Sequence, residues 1–242
     1  MSNDAVDERS VILERIAQFR SEDADVPPIW QAKRELAGSV RALLDCICAT
    51  DAGEPDLRRA ATEIRGMAER FARGPLVTDP LGIAEMALSG METFHDRSPL
   101  VGRSNPIAPP LDLAPDAESG LVGGTGYFGN AYEGAPGCVH GGFLAAAFDE
   151  LLGMACIFSG NPGMTGTLEI KYRSPTPIRT ELRFEGRLDR VEGRRIYTSG
   201  AVYFGDVCCA ESTGIFVSID RKKFEDLNET RRRRLEGEAG RS

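Results

Sequence analysis

The segment from Gly141 to Phe158 constrains the fold more than any other part of the chain. It reads GGFLAAAFDELLGMACIF, so it is apolar on nearly all sides and carries its only charges at Asp149 and Glu150. A helix of this kind needs cover on most of its surface, and a curved sheet wrapped around it provides that cover. Buried carboxylates are costly unless they are paired, hydrogen-bonded or used in chemistry. The segment therefore predicts a central helix that carries a functional acid.

Strand patterns lie on both sides of this helix in the sequence. Residues 121–127, before it, are glycine-rich and strand-like. After it come four segments with alternating side chains or glycine turns at their ends, which is typical of antiparallel strands: 165–172, 181–188, 195–204 and 207–219. A strand, a long apolar helix and then an antiparallel meander predict the α+β hotdog fold, in which the sheet wraps around the helix.

The rest of the chain is predicted to flank this domain. We assign residues 1–95 to a helical N-terminal extension and residues 119–220 to the hotdog domain. Residues 96–118 contain five prolines, so we expect an irregular strap packed on the surface. Residues 221–242 are expected to form a charged C-terminal tail, in which four arginines stand in a row.

Apolar residues in the N-terminal extension recur at helical spacing. One stripe falls in residues 11–19, a second helix is predicted after Pro28, and a third from about Asp56 to Ala72. We expect the second and third helices to form an antiparallel hairpin. We also expect the extension to pack against the hotdog domain, because its apolar stripes need burial.

Composition narrows the classes of function. The chain has 242 residues and a net charge of −8, which argues against nucleic acid as its partner. No apolar run approaches the ~18 residues that span a bilayer, and the acidic N-terminus is unlike a secretory signal. We therefore expect a cytoplasmic protein without membrane insertion. Two histidines, and cysteine pairs that lack C-x2-C spacing, predict no metal site.

The residues around the start of the central helix resemble a known family. The string Tyr132 to Gly137, then His140-Gly141-Gly142, then Asp149, is similar to the hotdog-fold acyl-CoA thioesterases of the phenylacetate-pathway and thioesterase-superfamily-member types. The match continues to the end of the predicted domain, over about residues 119–220. The resemblance implies hydrolysis of an acyl-CoA to a free acid and CoA, in fatty acid metabolism. It also implies that no cofactor is needed, because CoA is part of the substrate.

Thioester hydrolysis needs groups that stabilise the carbonyl oxygen as charge develops on it. Free N–H groups at a helix N-terminus do this, and the resemblance assigns that role to Gly141, with His140 and Gly142 at the same corner. It assigns Asp149 as the base that activates water or as a direct nucleophile, and the sequence leaves this choice open. Thr165 aligns with a family hydroxyl that helps to hold the water or the acid. Glu150 is the weaker candidate for the acid, because the resemblance places it one position past the catalytic acid, and we interpret it as an interface or surface residue.

The spacing of the two main candidates implies more than one subunit. Gly141 and Asp149 are eight residues apart, which is roughly 12 Å along a helix at ~1.5 Å per residue. A general base must come within about 3 Å of its proton. We therefore predict an obligate homodimer in which Gly141 of one subunit faces Asp149 of the other. A dimer of dimers stays open.

A CoA substrate carries phosphates, so an acidic protein needs a local basic patch to bind it. The candidates are Arg173 with nearby Pro175 at one strand end, and the hairpin Gly193-Arg194-Arg195. Guanidinium groups suit phosphate because they form bidentate hydrogen bonds.

Two other interpretations compete with a thioesterase. A hotdog hydratase or dehydratase has its catalytic histidine beside or after an acid on the central helix, and no histidine follows Asp149 in this chain. The other alternative is a non-catalytic protein that binds or senses acyl-CoA. The intact acid at position 149 favours turnover over binding alone.

Overall fold

The computed structural model describes residues 26–74, 96–109, 111–116, 121–158 and 163–218. The helices in these ranges are α1 (Pro28–Ala49), α2 (Glu54–Ala72) and α3 (Gly141–Phe158). The strands are β1 (Asp112–Pro115), β2 (Leu121–Tyr127), β3 (Gly163–Tyr172), β4 (Glu181–Glu192), β5 (Arg195–Phe204) and β6 (Val207–Ser218). The predicted helical stripe in residues 11–19 and the charged tail 221–242 lie outside the described residues.

The strands form one antiparallel sheet in the order β1-β2-β4-β5-β6-β3. Two-residue turns join β4 to β5 and β5 to β6, and each contains a glycine with a positive φ, Gly193 at 59° and Gly205 at 55°. The prediction of a meander beginning directly after the helix was wrong for its first strand. Because β4 already has neighbours on both sides, β3 pairs with the outer edge of β6 instead.

One face of α3 packs on the concave side of this sheet. The buried residues recur every three or four positions along the helix; they are Leu144, Ala147, Phe148, Leu151, Leu152, Ala155 and Cys156. Glycines let the helix approach closely, because a Cβ at Gly186 would lie 2.8 Å from Cγ of Leu151. The opposite face of α3, with Phe143 and Asp149, is exposed in the single subunit. One sheet therefore covers only part of the predicted apolar helix.

The two N-terminal helices behave differently. α1 contacts the strap and the hotdog domain through hydrogen bonds of Arg34, Arg41 and Asp45. Burial of its apolar stripe was the expected cause of packing, but Ala37 is the one buried residue of this helix. In α2, which is described along its whole length, no residue is buried. The expected packing of its stripe in an antiparallel hairpin is therefore not observed. Within the described ranges, no helix is both long enough and apolar enough to span a membrane.

The strap is more ordered than its prolines suggest. Asp112 to Pro115 form β1, which the sequence pattern assigned to irregular structure, and pair with β2 as an edge strand. Proline is tolerated at a sheet edge, where its missing N–H faces no neighbour. Earlier in the strap, the buried Ser98 accepts hydrogen bonds from the N–H groups of Leu100 and Val101. The strap thus supplies a short strand and a packed loop to the domain.

Candidate active site

Backbone hydrogen bonds fix the loop that leads into α3. The N–H of Val139 donates to the carbonyl oxygen of Thr176 over 2.8 Å, and the N–H of His140 donates to that of Tyr132 over 2.9 Å. The ring of Tyr132 also packs edge-on against Phe143 in the first turn of α3, with 4.9 Å between ring centroids. The position of the helix start is therefore set by neighbouring segments on both sides.

The helix begins at Gly141, so the first N–H groups of α3 have no acceptor within the helix itself. The N–H groups of Phe143 and Leu144 donate to the carbonyl oxygen of His140, over 2.9 and 3.3 Å. The N–H of Gly142 donates to Nδ1 of His140 over 3.0 Å. The N–H of Gly141 has no acceptor among the described residues. This leaves one free donor at the positive end of the helix dipole.

The contact with Gly142 defines what His140 does in this corner. Since Nδ1 accepts a hydrogen bond, a neutral ring carries its proton on Nε2. The imidazole occupies the second N–H of the helix and leaves the first one available. His140 therefore occupies the N–H of Gly142, and the N–H of Gly141 stays without an acceptor among the described residues.

Tyr172 is a residue at this corner to which the sequence analysis gave no role. Its hydroxyl donates to the carbonyl oxygen of Gly141 over 2.8 Å, which ties the end of β3 to the first turn of α3. A Cβ at Gly141 would lie 3.1 Å from Oη of Tyr172, so glycine allows this approach. The sequence places Tyr172 at the end of a predicted strand, but no local pattern there indicates a contact 31 positions away.

The acid on α3 lies two turns further along the helix. Asp149 is exposed, and Thr165 donates from Oγ1 to its Oδ1 over 2.7 Å. A register shift between Thr165 and Thr167 marks a β-bulge beside this contact, a feature that often redirects a side chain next to a functional site. The structure thus places Thr165 against Asp149, where the sequence analysis expected it.

The neighbouring carboxyl group has a different environment. Glu150 is half-buried, and burial, together with the charge of Asp149, raises its pKa to about 7. Burial raises the pKa of an acid because it disfavours the charged form. Two adjacent carboxyl groups therefore differ in setting, one exposed and hydrogen-bonded and the other desolvated.

Glu150 is expected to make stability depend on pH. Between pH 4.5 and about 7 the unfolded chain ionises this group while the folded chain keeps it protonated, so folding loses free energy as pH rises. Glu150→Gln removes that loss and should stabilise the protein by ~1–3 kcal/mol at pH 8, with little effect at pH 4.5. Thermal unfolding of both proteins across this range measures the difference. A gap between their melting temperatures that stays constant with pH would contradict the assignment.

The basic candidates do not form one patch within a subunit. Arg173 follows Tyr172, which pairs with Ala210 on β6, whereas Arg195 pairs through β5 with Val217. Seven residues along a strand correspond to about 23 Å at ~3.3 Å per residue. The expectation of a single local patch therefore needs correction: these residues lie at opposite ends of the sheet.

The side chains of Arg173 and Arg194 each contact one residue on β6. Arg173 pairs with Glu211, with 2.7 Å between Nη2 and Oε2, and both side chains are about half exposed. Arg194 donates from Nε and Nη2 to the carbonyl oxygen of Ser218 over 3.3 and 3.2 Å. An exposed ion pair such as that of Arg173 contributes little stability.

The geometry divides the predicted site residues into two groups, which are called the donor half-site and the acid half-site. The donor half-site contains the free N–H and the residues around it: His140, Gly141, Gly142, Tyr172, Arg173 and Pro175. The acid half-site contains the carboxylate and the residues at its end of the sheet: Asp149, Thr165, Gly193, Arg194 and Arg195. Across the part of the chain that the structure describes, no group of three or more His, Cys, Asp or Glu residues could hold a metal ion.

Known proteins resemble this chain mainly in the hotdog domain. Residues 136–209 match the family model of the thioesterase superfamily. Rat acyl-coenzyme A thioesterase THEM4 is 33% identical over 93 residues, which are 38% of this chain and 40% of that protein. Human acyl-coenzyme A thioesterase THEM5 is 30% identical over 93 residues, 38% of each protein. The chain thus spans about 40% of the length of these curated relatives.

A solved structure extends the similarity to most of the chain. The crystal structure of protein RHA08564, a thioesterase superfamily protein, is 32% identical, with a TM-score of 0.69. The alignment covers 77% of this chain and 90% of that one. The predicted hotdog fold and the predicted family are therefore confirmed, and the chain belongs to the thioesterase superfamily.

Proposed function

We propose that the protein is an acyl-CoA thioesterase, which hydrolyses an acyl-CoA to the free acid and CoA. The observation that carries this proposal is that α3 bears two reactive groups: a free N–H at Gly141, and a carboxylate at Asp149 that accepts a hydrogen bond from a hydroxyl. The thioesterase family model matches residues 136–209, which include both groups, and relatives named as acyl-coenzyme A thioesterases are 33% and 30% identical over 93 residues.

The two groups would divide the chemistry between them. The N–H of Gly141 donates to the thioester oxygen as negative charge builds up on it, and the helix dipole adds to this stabilisation. Asp149 takes a proton from the attacking water, or attacks the carbonyl carbon itself to form an anhydride that water then opens. In both routes the C–S bond breaks, the electron pair leaves with sulfur, and the CoA thiolate takes up a proton.

A homodimer would bring the groups together. They are separated by about 12 Å on one helix at ~1.5 Å per residue, but Tyr172 and Thr165, which mark the two half-sites, lie on the same edge strand. A two-fold axis near the middle of β3 would place Tyr172 of one subunit beside Thr165 of the other. A long exposed edge strand invites such pairing, and it would also cover the exposed face of α3.

The same symmetry would rejoin the basic residues. Arg173 belongs to the donor half-site, whereas Arg194 and Arg195 belong to the acid half-site, so one composite site would hold Arg173 of one subunit and the hairpin of the other. Three guanidinium groups at one site suit the phosphates of CoA. The proposed substrate-binding residues thus need both subunits.

A thiol-release assay with purified protein tests the proposed activity. Short, long, branched and aromatic acyl-CoAs are supplied separately, and free CoA is followed with a thiol reagent. We expect turnover on at least one class, with no added cofactor. Saturable binding of acyl-CoA without any release of thiol would replace this proposal by a non-catalytic binding protein.

A further inference from the structure

The C-terminal part of α1 contacts the loop that precedes the donor half-site. The carboxylate of Asp45 accepts hydrogen bonds from the backbone N–H of Asn130 through Oδ1 and from its side-chain amide through Oδ2, the second over 3.2 Å. Asp45 and Asn130 are 85 positions apart in the chain. One carboxylate on α1 therefore holds both a backbone and a side-chain donor of the hotdog domain.

The fit at this contact is close. A Cβ at Gly129 would lie 2.2 Å from Oδ1 of Asp45, which no real side chain tolerates. Gly129 has a φ of −82°, a conformation open to other residues, so glycine is needed here for space and not for its backbone freedom. The carboxylate thus occupies the volume that a side chain at position 129 would fill.

From Asn130 the contacts continue to the start of α3. Asn130 opens a short 3-10 turn that ends at Tyr132. The carbonyl oxygen of Tyr132 accepts a hydrogen bond from the N–H of His140 over 2.9 Å, and its ring packs on Phe143. His140 in turn holds the N–H of Gly142. The carboxylate is thus linked to the helix start by hydrogen bonds, one ring contact and the short 3-10 turn between Asn130 and Tyr132.

Two arginines hold α1 in place for this contact. Arg34 donates from Nε to both carboxylate oxygens of the buried Asp96, over 3.0 and 2.9 Å. Arg41 donates from Nη1 to the carbonyl oxygens of Arg103 and Asn105 over 3.1 and 2.9 Å. These contacts fix the helix on the strap independently of Asp45, so removing the carboxylate need not release α1.

We propose that Asp45 is a positioning residue for the donor half-site: it acts through Asn130 and Tyr132 to hold His140 and Gly141 where the carbonyl oxygen of the substrate must sit. This inference rests on the proposed thioesterase activity. Donors that stabilise a developing oxyanion must be placed to within a few tenths of an ångström, because a misplaced group loses most of its effect on the transition state. The N-terminal extension therefore supports catalysis from outside the hotdog domain.

The test compares Asp45→Ala, Asp45→Asn and Gly129→Ala with the wild-type full chain. Asp45→Ala removes both acceptors, and Gly129→Ala pushes the carboxylate away from the other side. We expect both to lower kcat about tenfold with KM changed less than about twofold, because the contact would affect the transition state more than substrate binding. Asp45→Asn keeps the Oδ1 acceptor for the N–H of Asn130 and should recover most of kcat. Glu35→Gln, which neutralises an exposed carboxylate on α1, is the matched control.

Hydrogen exchange supplies a readout that does not depend on activity. We expect faster exchange at the amides of Asn130 and His140 in Asp45→Ala, with the rest of the sheet unchanged. Wild-type kcat and KM in both Asp45→Ala and Gly129→Ala would overturn the inference, as would a loss of kcat that only follows the loss of folded protein. If the wild-type chain hydrolyses no thioester, the proposed function fails instead, and unchanged exchange at those two amides would then overturn the positioning role independently.

Discussion

Asp149→Asn is expected to lower kcat for acyl-CoA hydrolysis by about 10²–10⁴-fold, the range that a general base contributes. The amide has nearly the same shape as the carboxylate and can still accept the hydrogen bond from Thr165, so the fold should persist. It can neither take a proton from water at neutral pH nor attack as an anion. Steady-state kinetics with melting temperature and native mass on the same sample measure the effect. Unchanged melting temperature and mass would assign the loss to chemistry.

Variants of two residues beside Asp149 show whether the loss of activity is specific to its carboxylate. Glu150→Gln changes a carboxyl group on the same turn of α3, and we expect its kcat to stay within a factor of about three of wild type, because that group lies outside the proposed chemistry. Thr165→Val removes the hydroxyl that orients Asp149 and should cost less than the loss of the acid itself. Turnover that stays undiminished in Asp149→Asn would remove Asp149 from the mechanism under both routes.

Local pattern was sufficient for most elements of the fold. The apolar run 141–158 and the alternating segments after it carry their own periodicity, and each became the predicted helix or strand. Gly193 and Gly205 marked the turns because only a positive φ closes such short connections easily. Information of this kind lies within a few residues of the element it specifies.

Such local patterns do not predict which strands and side chains that are distant in the sequence contact each other. The alternation in β3 indicates a strand but not its partner, and only the presence of β2 beside β4 sends it to the edge of β6. The amphipathic pattern of α2 predicts a buried face, yet this face has no cover in the described subunit. The link between Tyr172 and Gly141 spans 31 positions and depends on the same sheet order. Spacing along the helix predicted that Gly141 and Asp149 are apart. The division of the basic residues between opposite ends of the sheet could not be predicted, because it depends on the strand order.

Mixed dimers provide the second decisive experiment, because they test whether the half-sites belong to different subunits. Gly141→Pro removes the free N–H, and proline is well tolerated at the first position of a helix. We expect it to lower kcat by about 10²–10³-fold, the usual cost of one oxyanion donor. The Cβ of the proline would lie 3.1 Å from Oη of Tyr172. Gly141→Ala adds the same Cβ but keeps the N–H, so the difference between the two variants isolates the donor.

Each of Gly141→Pro and Asp149→Asn should be nearly inactive alone, since both composite sites of a symmetric dimer carry the change. When the two chains are co-expressed with different tags, a mixed dimer has one site with both defects and one site with neither. Random pairing makes half of the dimers mixed, so activity should return to about one quarter of wild type in the unfractionated mixture and about one half in purified mixed dimers. Purification through both tags in turn isolates that species.

Recovery of this size cannot arise if one subunit supplies both groups. In that case every chain in a mixed dimer carries a defect in its own site, and purified mixed dimers would be as inactive as the parents. The roughly 12 Å between the two groups on one helix, at ~1.5 Å per residue, makes this outcome hard to reconcile with direct contact at one thioester. Mixed dimers shown by mass to be intact yet inactive would therefore refute the shared site and require a different acid beside Gly141.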